Sequence, residues 1–289
     1  PHGKPYKGEV LVEESLFVWG EQGIGEEVMF CYFFEELNKR VLDVTVALDP
    51  RLIPYFSDRF PSWTFLNRHR VVEELPVKDY CAPTGDLFRY LGLPAINGEL
   101  TFAQPLLAPR KERAKQIRDF LGVKTKPRIG ISWRGGKGVH GKIRSMELDQ
   151  MMSGVAPEKD LEIISFQYTE GHEEEVISHG DRRVAISGLD NFTDLDGVFA
   201  LMASCDAVIT VDNAVAHFAG ALGVPVMVVV PAGQTQFRWK NDVIRRLFFP
   251  SAQLFSQEPI GDWRSAVKCA WDAALDTFFR LERDEETPS

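Results

Sequence analysis

The chain has 289 residues, 44% hydrophobic and 26% charged, with a formal net charge of −9. That length supports two domains with cores of their own, and the acid excess argues against a nucleic-acid partner, whose phosphates are bound through surplus Lys and Arg. No apolar run approaches the ~20 residues of a membrane span and no signal peptide opens the sequence, so a cytoplasmic protein is expected. Cys31, Cys81, Cys205 and Cys269 lack CxxC or zinc-like spacing and are read as reduced, buried thiols.

Residues 16–19 form an apolar run ended by Gly20, a buried strand. Met29, Phe30, Phe33 and Leu37 then mark a helix. Residues 44–48 and 64–66 are two further strands with a short helix between them, a βαβα alternation that predicts a parallel sheet. The proline-rich stretch 76–109 is expected to form loops and short helices around a cleft. A charged helix at 110–121 leads into a linker at 122–127. A second alternation follows, with strands at 129–132, 161–166, 184–185, Ala207–Val211 and Val226–Val230. The fold class is therefore α/β, with two Rossmann-like, doubly wound domains at 1–125 and 126–289 and parallel sheets facing a cleft. Residues 263–281 read as one amphipathic helix, placed to pack back on the first domain.

Four places could carry chemistry. In the turn GEQGIGEE at 20–27, Gly20, Gly23 and Gly25 let the backbone approach a ligand, although the spacing is not GxGxxG. Its acids Glu26 and Glu27 suit the start of the helix that follows, and Glu21 is a spare acid in the same turn. The loop WRGGKGVHGKIR at 133–144 follows a buried strand. It nearly matches a P-loop but ends in Ile143, which has no hydroxyl for Mg²⁺. A basic loop that stabilises a departing diphosphate through Arg134, Lys142 or Arg144 fits better. Gln167 ends a strand and is placed to meet a nucleobase or ribose.

The fourth is TVDNAVAHFAGALGVPVMVVVP at 210–231, a strand, a helix and a strand. Asp212 is the expected N-cap or a partner for ribose or sugar hydroxyls, and Gly223 ends the helix. The N–H groups of 214–216, including Ala214, are open to phosphate. Asn213 and His217 lie opposite the Val215/Phe218 stripe and are expected to line the site. Asp194-Leu195-Asp196 looks like a metal-binding DxD but heads a helix, so Thr193 or Asp194 is read as a cap and no metal site is expected.

These segments resemble glycosyltransferases of the heptosyltransferase-like (family 9) group, especially the domain found after tetratricopeptide repeats in bacterial proteins. WGEQGIGE at 19–26 is similar to that group's WGEQGLGD, and DPRL at 49–52 to its DPRL. GISWRGG at 130–136 is similar to its GISWRGG, and VDNAVAHFAGALG at 211–223 to its SVDTAVAHLAGALG. Trp239 and the run from Phe249 to Trp263 resemble its tail. The resemblance implies a GT-B fold and an inverting, metal-independent transfer of a sugar, hexosyl or heptosyl, from a nucleotide diphosphate to an acceptor hydroxyl. It places the general base at Glu26, where the group has Asp, and the basic phosphate residue at Arg144. Gly23, Gly25 and Glu21 would form an acceptor-side loop.

The nucleotide sugar is substrate, and no cofactor is implied. The acceptor, glycan, lipid or protein, is left open, and a repeat domain of the same full-length protein is an expected partner. Two alternatives stand beside this reading: a non-catalytic nucleotide-sugar-binding or interaction module of a larger repeat protein, which the Glu26 departure favours, and a GT-B-shaped nucleotide-sugar epimerase.

Overall fold

The computed structural model describes residues 2–70, 77–99, 102, 104–136, 138–233 and 236–286. The chain divides into two compact units, 1–106 and 107–289. The first holds strands β1 (His2–Pro5), β2 (Leu11–Trp19), β3 (Val41–Leu48), β4 (Thr64–Asn67) and β5 (Val77–Pro83) in the order β1-β5-β2-β3-β4. The second holds β6 (Arg128–Ser132), β7 (Glu162–Ser165), β8 (Val184–Ile186), β9 (Ala207–Val211), β10 (Val226–Val230) and β11 (Ala252–Ser256) in the order β11-β10-β9-β6-β7-β8. Every pairing in both sheets is parallel. The expected α/β class with two doubly wound units is what the chain adopts.

Parallel sheets are covered on both faces, so their strands read as unbroken apolar runs. β6, β9 and β10 are buried at every position, which is why runs such as 207–211 and 226–230 were readable to the residue. β5 and β11 were missed because they alternate with polar and exposed positions. The helix Thr84–Ile96, with Pro94 inside it, occupies part of the stretch expected to form loops and short helices.

The unit boundary falls earlier than the expected 125. The helix Lys111–Leu121 packs against the helix Leu195–Met202 of the second unit, and Arg113 pairs with Asp194 there at 2.5 Å. Its polar, linker-like successor 122–127 misplaced the boundary. The C-terminal helix runs over Arg264–Glu286 and packs on β9, β10 and β11 of its own unit. There Ala266, Val267, Ala270, Trp271 and Ala274 join the core, and the buried Trp271 indole finds an acceptor in the Met151 carbonyl at 2.8 Å. The thiols also depart from expectation: Cys31 and Cys205 are buried, but Cys81 is half-buried and Cys269 is exposed on that helix.

Candidate functional site

In the second sheet β6 leads to β7 on one side, while β9 lies on the other. The β6/β9 boundary is therefore the point where strand order reverses, and ligands of open α/β sheets bind beyond the carboxyl ends of the strands there. The two loops leaving that point are 133–147 and 212–214, the two singled out for phosphate. Lys137 of the first loop lies outside the described residues.

Polar side chains pin the loops together. Gln167 is fully buried, and its carbonyl oxygen accepts from Ser132 Oγ at 3.0 Å and from the backbone N–H groups of Trp133 and Arg134 at 2.9 Å each. Its amide nitrogen donates to Thr169 Oγ1 at 3.1 Å. Gln167 therefore holds the loop in shape, and its hydrogen-bonding atoms face protein rather than a nucleobase. Asn213 donates to Ser132 Oγ at 2.8 Å and to the Arg134 carbonyl at 3.0 Å, so it ties the end of β9 to the end of β6. Gly141 has no room for a Cβ, because the Gly136 carbonyl lies against it.

Asn213, not Asp212, caps the helix Ala214–Ala221: its side-chain oxygen accepts from the Val215 N–H at 2.9 Å. Gly223 (φ 74) closes the other end, with Gly223 N donating to Gly220 O and Val224 N to Ala219 O, a Schellman arrangement. From Val211 to Leu222 every residue is buried except Ala214, which is partly exposed. The helix thus opens at one point.

Released from capping, the buried Asp212 carboxylate binds cations. One oxygen accepts from Arg144 Nη1 at 3.1 Å, the other from Arg238 Nη2 at 3.1 Å and Trp239 Nε1 at 2.9 Å. Burial works to raise the Asp212 carboxyl, but Arg238, the Trp239 indole and Arg144 outweigh it and hold it below its ordinary value. His217 was expected to line the site; it is instead fully buried, with its ring against Phe249 and Trp239 at centroid distances of 5.2 and 6.0 Å. Burial, with Arg238 beside it, pushes His217 well below its ordinary value, so it is neutral near pH 7. The small residues flanking it in the sequence concealed that environment.

The other basic candidates separate. Arg134 is engaged by Glu147 at 2.6 Å and Glu175 at 2.8 Å, and Lys142 is exposed on the short helix Val139–Ile143. The sequence reading missed Arg238 as a site residue, although an Arg embedded between Phe237 and Trp239 was a usable signal. Asp194 caps the helix Leu195–Met202 by accepting from Gly197 N at 2.9 Å, as expected. Among the described residues no three His, Cys, Asp or Glu gather as metal ligands. Beyond β7 and β8 lies a pocket of about 310 Å³ lined by Tyr168, His172, Asn191 and Phe192. Asn191 joins it to the site by donating to the Ser165 and Gln167 carbonyls at 3.1 and 2.9 Å.

In the first unit the order reverses between β5 and β2, and the turn after β2 lies at that point. Gly23 is the N-cap residue of the helix Ile24–Phe30 and Gly25 is buried within it. Glu26 is partly exposed, while Glu27 is buried completely and ion-paired with Arg68. Burial pushes the Glu27 carboxyl up to about 7, against the Asp49 N–H and the Arg68 charge that favour its anion. Glu21 is partly exposed, its carboxylate against Gly85.

Two Rossmann-like units with parallel sheets in one chain are the architecture of the GT-B class of glycosyltransferase fold, which the chain shares with solved structures of that class. Residues 63–235 match glycosyltransferase family 9 (heptosyltransferase), and the chain belongs to that family. It is 27% identical to Protein FlbA of Caulobacter vibrioides over 92% of its own length and 47% of FlbA's, so it spans about half of that relative. Its fold is similar to the family 9 glycosyl transferase of Veillonella parvula (TM-score 0.60, 13% identity, 92% of this chain and 99% of that one). It is also similar to E. coli ADP-heptose lps heptosyltransferase II (TM-score 0.59, 14% identity, 90% and 98%). Among the described residues no helix is long and apolar enough to cross a membrane.

Proposed function

We propose that the protein transfers a sugar from a nucleotide-diphosphate donor to an acceptor hydroxyl, by inversion and without a metal or other cofactor. The observation that carries this is the Arg144–Asp212–Arg238 cluster beside the open helix end at Ala214. In the second unit the diphosphate would take donors from the Ala214 end of the helix and from Arg144, which exchanges part of its Asp212 contact for phosphate. Arg238 and Trp239 keep Asp212 neutralised as this happens. The nucleoside would enter the pocket between Tyr168 and Phe192.

In the first unit Glu26 acts as general base, taking the acceptor hydroxyl proton as the new C–O bond forms and the anomeric C–O bond to the diphosphate breaks. A base is needed because a sugar hydroxyl is a weak nucleophile until its proton is removed. ADP-heptose, the donor in the name of the E. coli homologue of similar fold, is the first donor to test. A repeat domain outside this sequence and a cytoplasmic location complete the reading.

A second reading, a nucleotide-sugar-binding module without catalysis, draws on one observation: Glu26 stands where the group's motif has Asp, and the extra methylene displaces the carboxylate. Thermal unfolding against a panel of nucleoside diphosphates and their sugars, with wild type and Arg144→Ala, tests the donor site. A shift lost in Arg144→Ala supports it, and no shift with any member of the panel overturns it. Nucleotide release that depends on an added acceptor separates the transferase from the binding module.

A further inference from the structure

We propose that Arg68, anchored on the buried carboxylate of Glu27, is a positioning residue that fixes the 20–26 turn and thereby the direction of the Glu26 carboxylate. Only the kinetic part of this proposal rests on the transferase reading.

Among the described residues Gln22 is the single non-glycine with positive φ, at 60°. A side chain persists in that left-handed conformation only where its surroundings over-determine it, and such positions cluster at functional sites. What holds Gln22 is Arg68, whose Nη1 donates to the Gln22 carbonyl at 3.1 Å and pairs with Glu27. Arg68 is itself placed by β3, through its N–H to the Leu48 carbonyl at 2.9 Å. Glu27 receives the Asp49 N–H at 2.8 Å on its other oxygen, and Asp49 is in turn gripped by Arg51 at 2.7 Å. The ends of β2, β3 and β4 therefore meet in one network.

The helix geometry links this network to Glu26. Neighbouring residues of a helix point in directions about 100° apart. Anchoring Glu27 inward thus fixes the rotation of the helix Ile24–Phe30 about its axis and turns Glu26 toward solvent. A buried ion pair adds little stability compared with apolar side chains of the same size. Its presence at this turn fits a role in shaping the turn. Both acceptors meet the same terminal nitrogen, Nη1, whose hydrogens the rigid guanidinium plane holds in fixed directions, whereas a lysine offers a flexible point charge.

The test compares wild type with Arg68→Lys and Glu27→Gln, two variants that retain a polar side chain at each position. Amide hydrogen exchange reports on the 20–27 segment, ADP affinity on the second unit, and turnover of a nucleotide sugar used by wild type on Glu26. The expected result is exchange at least ~10-fold faster within 21–25, kcat lower by roughly 10–100-fold, and ADP affinity within about twofold of wild type. Glu27→Gln should show this without a fall in Tm at pH 7.5, which separates positioning from general destabilisation. Unchanged exchange over 21–25 would overturn the proposal. So would faster exchange with unaltered kcat, or a kcat loss matched by an equal loss of ADP affinity. A wild type that turns over no donor counts against the transferase reading alone, and the exchange comparison then decides whether the pair holds the turn.

Discussion

Arg144 and Asp212, 68 residues apart in sequence, meet at 3.1 Å beyond the carboxyl ends of adjacent strands. The contact neutralises an acid that would otherwise repel a diphosphate, and it keeps the arginine beside the helix end where phosphate would bind. Arg144→Ala should weaken nucleoside diphosphate binding by about 1.5–3 kcal/mol, the range for a charge-assisted hydrogen bond, or roughly 10- to 150-fold. Titration calorimetry checks this, with Lys142→Ala, a change at an exposed residue, expected to have the smaller effect.

Asp212 differs from Arg144 in being fully buried, with two arginines and an indole on its carboxylate. Asp212→Ala leaves Arg238 buried without its acid and should destabilise the second unit by about 3–5 kcal/mol. Chemical denaturation gives the value. Asp212→Asn should be milder, because an amide oxygen still accepts from Arg238 or Trp239. The depressed Asp212 pKa contributes stability that is present above the unfolded value of 3.8 and lost as pH falls through the lower folded value.

Gln167→Leu is close in size but removes the acceptor of three hydrogen bonds. The Trp133 and Arg134 N–H groups are then left without that partner, a loss of about 2–4 kcal/mol. Donor affinity should fall in parallel because the loop bearing Arg144 loses its anchor. Denaturation and ADP titration together would detect this, and a variant with unaltered ADP affinity would show that the loop does not need the anchor.

The pH dependence of stability should carry the signature of Glu27. Its carboxyl is raised from 4.5 to about 7 in the folded state, so between those values the native protein holds a proton that the unfolded chain has released. This contribution is complete below about 4.5, declines as pH rises, and is gone above about 7, for an effect of up to about 3 kcal/mol. Glu27→Gln should flatten the profile between pH 4.5 and 8 and should be the more stable protein at pH 8. Urea midpoints across that range provide the comparison.

The sequence showed most clearly what burial makes uniform. Strands β9 and β10 are buried throughout, with Thr210 their one polar residue, and could be bounded to the residue, while β5, half exposed and ended by Pro83, could not. The helix break at Gly223 was legible because a left-handed cap favours glycine. The cap at the other end was not, since Asp212 and Asn213 are equally good caps in isolation. Only the approach of Arg238 and Trp239, 26 and 27 residues further on, assigns Asp212 to the cations. His217 misled for the same reason: helical spacing gives the face, but Trp239 and Phe249 come from elsewhere and seal it. Glu26 and Glu27 are chemically identical neighbours, and no local rule tells the buried one from the partly exposed one.

The helix Lys111–Leu121 bears on how this protein can be dissected. It sits on the N-terminal side of the linker-like stretch, yet Ala114 and Ile117 are buried, Arg113 binds Asp194, and Leu107 N donates to the Ala221 carbonyl at 2.9 Å. A gene cut at the composition break near 125 would strip this cover from the helices Leu195–Met202 and Ala214–Ala221, exposing apolar surface and leaving Asp194 without its arginine. The second unit, excised for study, should therefore begin at Leu107.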